Sequence, residues 1–216
     1  MKLFDVLLDL LYPPRCAFCH RILPDSEDLV CRFCRDKLPY TAPLSERPKP
    51  AHIERCFSPL YYEGTVRDSL HRFKFSQRTG YAGIYAGFML KCIDENEISC
   101  DSITWVPLSR RRLHRRGYDQ ARLLAEQIAS RYGNPCVPLL KKVRDNPAQS
   151  RTGDAAKRKA NVAGVYAAIN EEQIKGKRIL LVDDIVTTGS TLSECSKMLL
   201  LAGAEDVVCA TLAIAR

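Results

Sequence analysis

Residues 179–191 of this 216-residue chain read Ile-Leu-Leu-Val-Asp-Asp-Ile-Val-Thr-Thr-Gly-Ser-Thr. An apolar run ends in two carboxylates, Asp183 and Asp184. A turn of Thr187, Thr188, Gly189, Ser190 and Thr191 follows, and then a helical pattern begins. Such a turn offers hydroxyl donors and backbone N–H groups at the positive end of a helix dipole, which suits a phosphate. Gly189 lets the backbone turn tightly. The two acids repel phosphate, so they need a different partner: ribose-type hydroxyls, met directly or through Mg²⁺. A ligand with a phosphate at one end and a vicinal diol nearby satisfies both halves. A plain Ser/Thr-capped helix would explain the turn but not the paired acids.

A second group of residues has metal-ligand spacing. Cys16-x2-Cys19 and Cys31-x2-Cys34 are two knuckles separated by eleven residues. Four thiolates so arranged complete the tetrahedral shell of one zinc ion. The closed shell makes the metal structural, and it supplies folding energy that so short a module cannot draw from a core. The gap is shorter than in the usual ribbon spacing, which implies a compact ribbon. An iron–sulfur cluster and redox cysteines are the competing readings. His20 reads as a bystander beside a filled shell. Cys56, Cys92, Cys100, Cys136, Cys195 and Cys209 are scattered, and read as small buried apolar residues. Phe18 and Phe33 are interleaved with Arg15, Arg21, Arg32 and Arg35. That mixture can stack and neutralise single-stranded nucleic acid, or the rings can simply form the module's core.

A third group is basic. Arg110, Arg111, Arg112, Arg115 and Arg116 follow an apolar strand ending at Val106-Pro107, and the segment reads as a loop. Guanidinium forks fit phosphate oxygens, but a solvated charged loop or a nucleic-acid strip would use the same charges. Residues 141–164 hold Lys141, Lys142, Arg144, Arg151, Lys157, Arg158 and Lys159 without sustained periodicity, and read as a long flexible loop. The net charge of +8 favours anionic partners.

These groups need a scaffold. Leu3, Phe4, Leu7, Leu8 and Leu11 recur at helical spacing. Asp5 and Asp9 interrupt the run, so it reads as an amphipathic helix rather than an export signal, and the cytoplasm is the expected compartment. No stretch is long and apolar enough to span a membrane. Residues 1–40 form the cysteine module and the proline-bearing 41–55 reads as a linker. Beyond it, strand and helix signals alternate. Residues 56–62, 102–108, 136–140, 165–169, 178–186 and 206–215 read as strands. Residues 64–75, 81–95, 118–133 and 190–204 read as helices. Alternation of this kind argues an α/β fold with a parallel sheet. In such sheets ligands bind beyond the carboxyl ends of the strands, where Asp183 and Asp184 fall.

At 183–191 the sequence resembles the phosphoribosyl pyrophosphate loop of the type I phosphoribosyltransferases. The wider layout resembles the ComF family: a cysteine module, then VPLSRRRLHRRGYDQA, then QSRTGDAAKRKANVAG, then the acid-rich loop. The resemblance covers essentially the whole chain. It implies a type I phosphoribosyltransferase-like, mostly parallel sheet with flanking helices over 56–216, preceded by a small four-cysteine zinc module. It implies phosphoribosyl pyrophosphate as ligand, bound with Mg²⁺, and transfer of the phosphoribosyl group to an unknown acceptor. Asp183 and Asp184 would hold the ribose, and Thr187 to Thr191 the 5′-phosphate. Arg110, Arg111, Arg112, Arg115, Arg116, Lys141, Lys142 and Arg151 would hold pyrophosphate. An acceptor pocket would draw on the region of Tyr61, Tyr62, His71 and Phe73. The family is linked to DNA uptake in natural competence, so single-stranded DNA and a competence helicase are expected partners. The alternative is a non-catalytic protein that senses phosphoribosyl pyrophosphate and binds single-stranded DNA.

Overall fold

A computed structural model describes residues 13–24, 29–42, 55–76, 79–144 and 164–216. Along the chain these form α1 (Arg32–Lys37), β1 (Cys56–Phe57), β2 (Leu60–Tyr61), α2 (Gly64–Phe75), a 3-10 turn (Thr79–Tyr81), α3 (Ala82–Glu95) and β3 (Ser102–Trp105). They continue as α4 (Arg110–Arg116), α5 (Gln120–Tyr132), β4 (Leu140–Lys142), β5 (Tyr166–Ala168), a second 3-10 turn (Glu171–Gln173), β6 (Arg178–Val186), α6 (Ser190–Leu201) and β7 (Asp206–Ile214).

The main sheet has the order β1-β7-β6-β3, with β2 also paired to β7, and every pairing is parallel. β6 and β7 are its nine-residue central strands. Their continuous apolar runs follow from position, since a parallel strand covered on both faces has no polar side to present. Leu180 and Val182 share a core with Leu70 of α2, Tyr85 of α3 and Leu124 of α5. Ile179 and Leu181 face the other way, toward Leu192 and Leu199 of α6 and the ribbon of β4 with β5. No described helix is long and apolar enough to cross a membrane.

Four expectations change. The 56–62 strand is two short strands, because Pro59 has no N–H to give a ladder and Ser58 instead places its hydroxyl 2.6 Å from that of Thr211. The arginine segment is the helix α4, not a loop. Ser109 caps it by accepting from the Arg112 N–H at 3.3 Å, and Gly117 closes it in the left-handed conformation at φ +79°. The long basic loop begins inside β4, which pairs antiparallel with the strand expected at 165–169, so that Leu140 faces Ala168 and Lys142 faces Tyr166. The strand expected at 136–140 is only a parallel bridge from Cys136 to Ile103, followed by β4. The amphipathic repeat of Leu3 to Leu11 lies outside the described residues, as do Arg151, Lys157, Arg158 and Lys159.

The first cysteine knuckle packs directly on the α/β layers. Phe18 is buried, with its ring edge-on to Tyr85 and Phe88 at centroid distances of 5.7 and 5.4 Å. Ser69 donates its hydroxyl to the Ala17 carbonyl at 2.6 Å, and Arg72 donates to the Phe18 carbonyl. Cys16, Phe18, Leu23, Val30 and Leu38 therefore belong to the same core as Leu70, Phe73 and Leu180. Phe18 is a core residue, not a stacking platform, whereas Phe33 is 54% exposed.

This shared core sets an expected outcome. Phe18→Ala should destabilise the chain by about 3–5 kcal/mol, the usual loss for a buried ring. Phe33→Ala should change it by less than about 0.5 kcal/mol. In urea unfolding, Phe18→Ala should lower the main transition itself. A separate early step, with the main transition unshifted, would show that the ribbon does not share the core.

Candidate functional site

β6 carries the two acids near its carboxyl end, ahead of Ile185 and Val186, and successive residues on a strand point to opposite faces. Asp183 turns toward α6. It lines a recess of about 50 Å³ with Thr187, Thr188, Gly189, Ser190 and Thr191. Gly189 has φ +75° and starts α6. The Thr188 and Ser190 hydroxyls lie 3.0 Å apart, and the Ser190 N–H donates to Thr188 Oγ1 at 3.4 Å. The recess is of the size of one tetrahedral oxyanion, and the first turn of α6 has N–H groups that no helical carbonyl can reach. The surrounding protein crowds Asp183. Burial, and then the charge of Asp184, push its carboxyl well above the usual carboxylate range. The Asp184 N–H, which donates to Asp183 Oδ1 at 2.8 Å, and the charge of Lys74 oppose this.

Asp184 turns to the other face and is buried. Lys74, near the end of α2, places its Nζ 2.8 Å from Asp184 Oδ2. Arg116 comes from α4 on the same side. Burial disfavours its charge, and the nearby Asp184 favours it. Its Nη1 donates to Gln120 Oε1 at 2.6 Å and its guanidinium carbon stands 5.1 Å from the centre of the Phe75 ring. Lys74 carries no motif signature, and only its helical spacing from the core residues Leu70 and Phe73 could have drawn attention to it.

The helix divides the arginines that the sequence groups together. Arg112 and Arg116, four residues apart on one face, are half-buried, while Arg110, Arg111 and Arg115 are exposed. Arg115 joins Arg116, Lys74 and Phe75 around a recess of about 470 Å³. Arg110 instead lines a separate groove of about 1080 Å³ with Trp105, Arg122, Lys141, Lys142 and Arg144. Lys142 also sits 5.3 Å over the Tyr166 ring. Asp119 fixes the turn leading into α4. It is buried, accepts from the Leu108 N–H at 3.0 Å and the Arg122 N–H at 3.3 Å, and caps α5. Burial raises its pKa and those two N–H donors lower it.

The four cysteines Cys16, Cys19, Cys31 and Cys34 come together with all their sulfurs within 4.8 Å of one another. Cys19 and Cys31 sulfurs are 3.7 Å apart. Four sulfurs about 2.3 Å from one zinc ion stand about 3.8 Å from each other, so the cluster fits that ion. The Cys31 N–H points at Cys16 Sγ and the Cys34 N–H at Cys31 Sγ, both at 3.4 Å, which steadies thiolate charge. The zinc reading of the knuckles stands.

Comparison with known proteins agrees with this geometry. Residues 118–216 match the family model described as phosphoribosyl transferase domain, and residues 7–47 match the double zinc ribbon domain. The fold and site thus define a phosphoribosyltransferase-fold protein with an N-terminal zinc ribbon. The chain is 32% identical over 167 residues to DNA utilization protein YhgH of Salmonella typhi, an alignment covering 74% of this chain and 71% of that one. It is 37% identical over 109 residues to Competence protein F of Haemophilus influenzae, covering 50% of this chain and 47% of that one. With Competence protein ComFC of Bacillus subtilis it shares 26% identity across 94% of this chain and 90% of that one. The chain belongs to the ComF family.

Elemental analysis of the purified protein should find about one zinc per chain. Cys31→Ser, which removes a buried ligand, should lose most of it and shift the thermal transition downward. Stoichiometric iron, or full stability without metal, would contradict the structural zinc.

Proposed function

We propose that the chain binds phosphoribosyl pyrophosphate with Mg²⁺ and transfers the phosphoribosyl group to an acceptor, releasing pyrophosphate. One observation carries this reading: a phosphate-sized recess at the start of α6 shares a wall, Asp183, with the acid pair near the carboxyl end of β6. In this reading the 5′-phosphate lies in the turn from Thr187 to Thr191, and Asp183 and Asp184 accept hydrogen bonds from the ribose hydroxyls. Arg112 and Arg116 are the half-buried arginines of α4, and Arg116 is the one whose charge Asp184 favours. Arg110, Arg111, Arg115, Lys141 and Lys142 supply positive charge around them, and Arg151 is placed with them by sequence alone. The acids point to opposite faces and do not chelate one ion between them. They suit a Mg²⁺ that arrives on the ligand's phosphates and keeps its waters, neutralising diphosphate charge when bound. An acceptor lone pair forms a bond to the anomeric carbon. The bond from that carbon to the diphosphate oxygen breaks, its electron pair leaves with pyrophosphate, and the acceptor's proton passes to solvent.

A second reading rests on the ribbon surface. Arg21, Ile22, Arg32, Phe33 and Arg35 are all exposed, and Arg21 stacks 5.3 Å over the Phe33 ring. Aromatic and basic groups presented together suit single-stranded DNA. A non-catalytic accessory role beside a competence helicase would use this face, in a cytoplasm that keeps the thiolates reduced. The names carried by the relatives, competence and DNA utilization, favour it.

Calorimetry with Mg²⁺ separates the parts of the ligand. Asp184→Asn should weaken phosphoribosyl pyrophosphate binding by about ten-fold or more, the scale of one charged hydrogen bond, and leave inorganic phosphate binding nearly unchanged. Equal losses for both ligands would refute the division of labour. Pyrophosphate release on adding a panel of acceptors tests the transfer itself. If single-stranded DNA binds and no acceptor ever releases pyrophosphate, the accessory role replaces the enzyme.

The raised pKa of Asp183 adds a pH dependence. The ligand needs the ionised acid, while the free protein holds the proton more tightly than an ordinary carboxyl does. Ionising Asp183 for the ligand therefore costs more than ionising an ordinary carboxyl, and affinity should rise as pH climbs through the elevated pKa. Calorimetry in two buffers of different ionisation heat should show net proton release below that pKa. A flat profile would contradict the role of Asp183.

A further inference from the structure

The recess at the end of α2 combines features that a diphosphate alone does not require. It measures about 470 Å³ and is lined by Lys74, Phe75, Arg115 and Arg116. That volume lies within the ordinary range of small-molecule pockets. Phe75 is 52% exposed there, although Phe73 two residues earlier is fully buried. His71, one turn back, lies with its ring 4.7 Å from that of Phe75, and the Arg116 guanidinium carbon is 5.1 Å from the same ring. An open aromatic surface has been built beside three cations.

The charges do not balance locally. Lys74 already faces Asp184 at 2.8 Å. Arg115 is exposed, and no carboxylate pairs with it among the described residues. The Nε of Arg116 is buried and has no acceptor among the described residues. Positive charge therefore remains for an incoming anion. Phosphate oxygens gain nothing from Phe75, since the face of its ring carries negative quadrupole density. A flat, electron-poor ring gains both stacking and dispersion there. The ligand that uses the whole recess has an aromatic ring and an anionic substituent together.

Position links the recess to the transfer site. Lys74 lines it and also contacts the acid that, under the reading above, holds the ribose. We propose that this recess is the acceptor subsite and that it takes a planar heteroaromatic carboxylate, with the ring against Phe75 and the carboxylate on Arg115, leaving Arg116 to the diphosphate. The assignment rests on the phosphoribosyl pyrophosphate reading for its role as acceptor site. Its ligand class rests on the recess alone.

The test uses the full-length, zinc-containing chain and three probes: nicotinate, orotate and the uncharged nicotinamide. Binding is followed by calorimetry and by saturation-transfer NMR, without and with phosphoribosyl pyrophosphate and Mg²⁺. The expected result is that nicotinate or orotate binds about ten-fold or more tightly than nicotinamide. Phe75→Ala should lose that binding by a similar factor, and Phe75→Tyr should keep it. Arg115→Gln should bring nicotinate and nicotinamide closer together in affinity. Phosphoribosyl pyrophosphate affinity should change less than about two-fold in Phe75→Ala. Equal binding of charged and uncharged rings, no binding of either, or no effect of Phe75→Ala would overturn the proposal. So would a recess that takes a thymidine oligonucleotide in preference to the aromatic acids. If the aromatic acids behave as stated and phosphoribosyl pyrophosphate fails to bind, the transfer reading falls while the aromatic-acid site stands.

Discussion

Two carboxylates in succession on a central strand cannot share one face of the sheet. Asp183 and Asp184 are thereby sent to opposite sides of β6, and each needs its own compensation for lost water. On one side, Asp183 borders the α6 turn, whose N–H groups and hydroxyls attract an anion. Burial keeps that carboxyl protonated more readily than a free one. On the other side, Asp184 is held by Lys74 at 2.8 Å. A buried carboxylate without such a partner would be strongly destabilising, so the cation is part of what makes the acid pair tolerable. The site is thus divided into an anion-seeking half and a cation-rich half, and the proposed ligand, a sugar bearing phosphate groups at both ends, would bridge them.

Helix α2 ties this division to the zinc ribbon. Ser69 and Arg72 hold carbonyls of the first knuckle, Leu70 and Phe73 enter the core, and Lys74 reaches the acid. Three jobs fall on one helix because side chains three and four residues apart share a face while their neighbours turn away. A twelve-residue helix has little stability by itself, so these tertiary contacts decide where it lies. The metal that closes Cys16, Cys19, Cys31 and Cys34 consequently supports the framework that presents Lys74. The segment 41–55 does not by itself make the ribbon an independent body, since Phe18 is locked between Tyr85 and Phe88.

Much of this is legible in the residues. The apolar run of β6, its acids and the Thr-Thr-Gly-Ser-Thr turn are consecutive, and a local pattern is read directly. The zinc ligands are legible for the same reason, since paired thiols at fixed spacing have few other uses. Long-range contacts are not. Nothing near Lys74 announces that it meets Asp184, and nothing near Phe18 announces Tyr85. The arginine segment misleads because its charges hide helical chemistry that is present: a Ser cap, good helix formers and a closing Gly. The difference matters to the site. A loop could aim all five arginines at one ligand, whereas a helix turns Arg112 and Arg116 inward and leaves Arg110, Arg111 and Arg115 exposed.

The central claim is that the end of β6 and the start of α6 form one site with a polarity, phosphate on the α6 side and ribose across the acids. A crystal structure with Mg²⁺ and phosphoribosyl pyrophosphate tests it most directly. The account predicts the 5′-phosphate in the recess bounded by Thr187 to Thr191, with ribose hydroxyls on Asp183 and Asp184 and the diphosphate toward Arg112 and Arg116. Density for the ligand in the groove of Trp105 and Arg122, with the α6 turn bound to nothing, would contradict it.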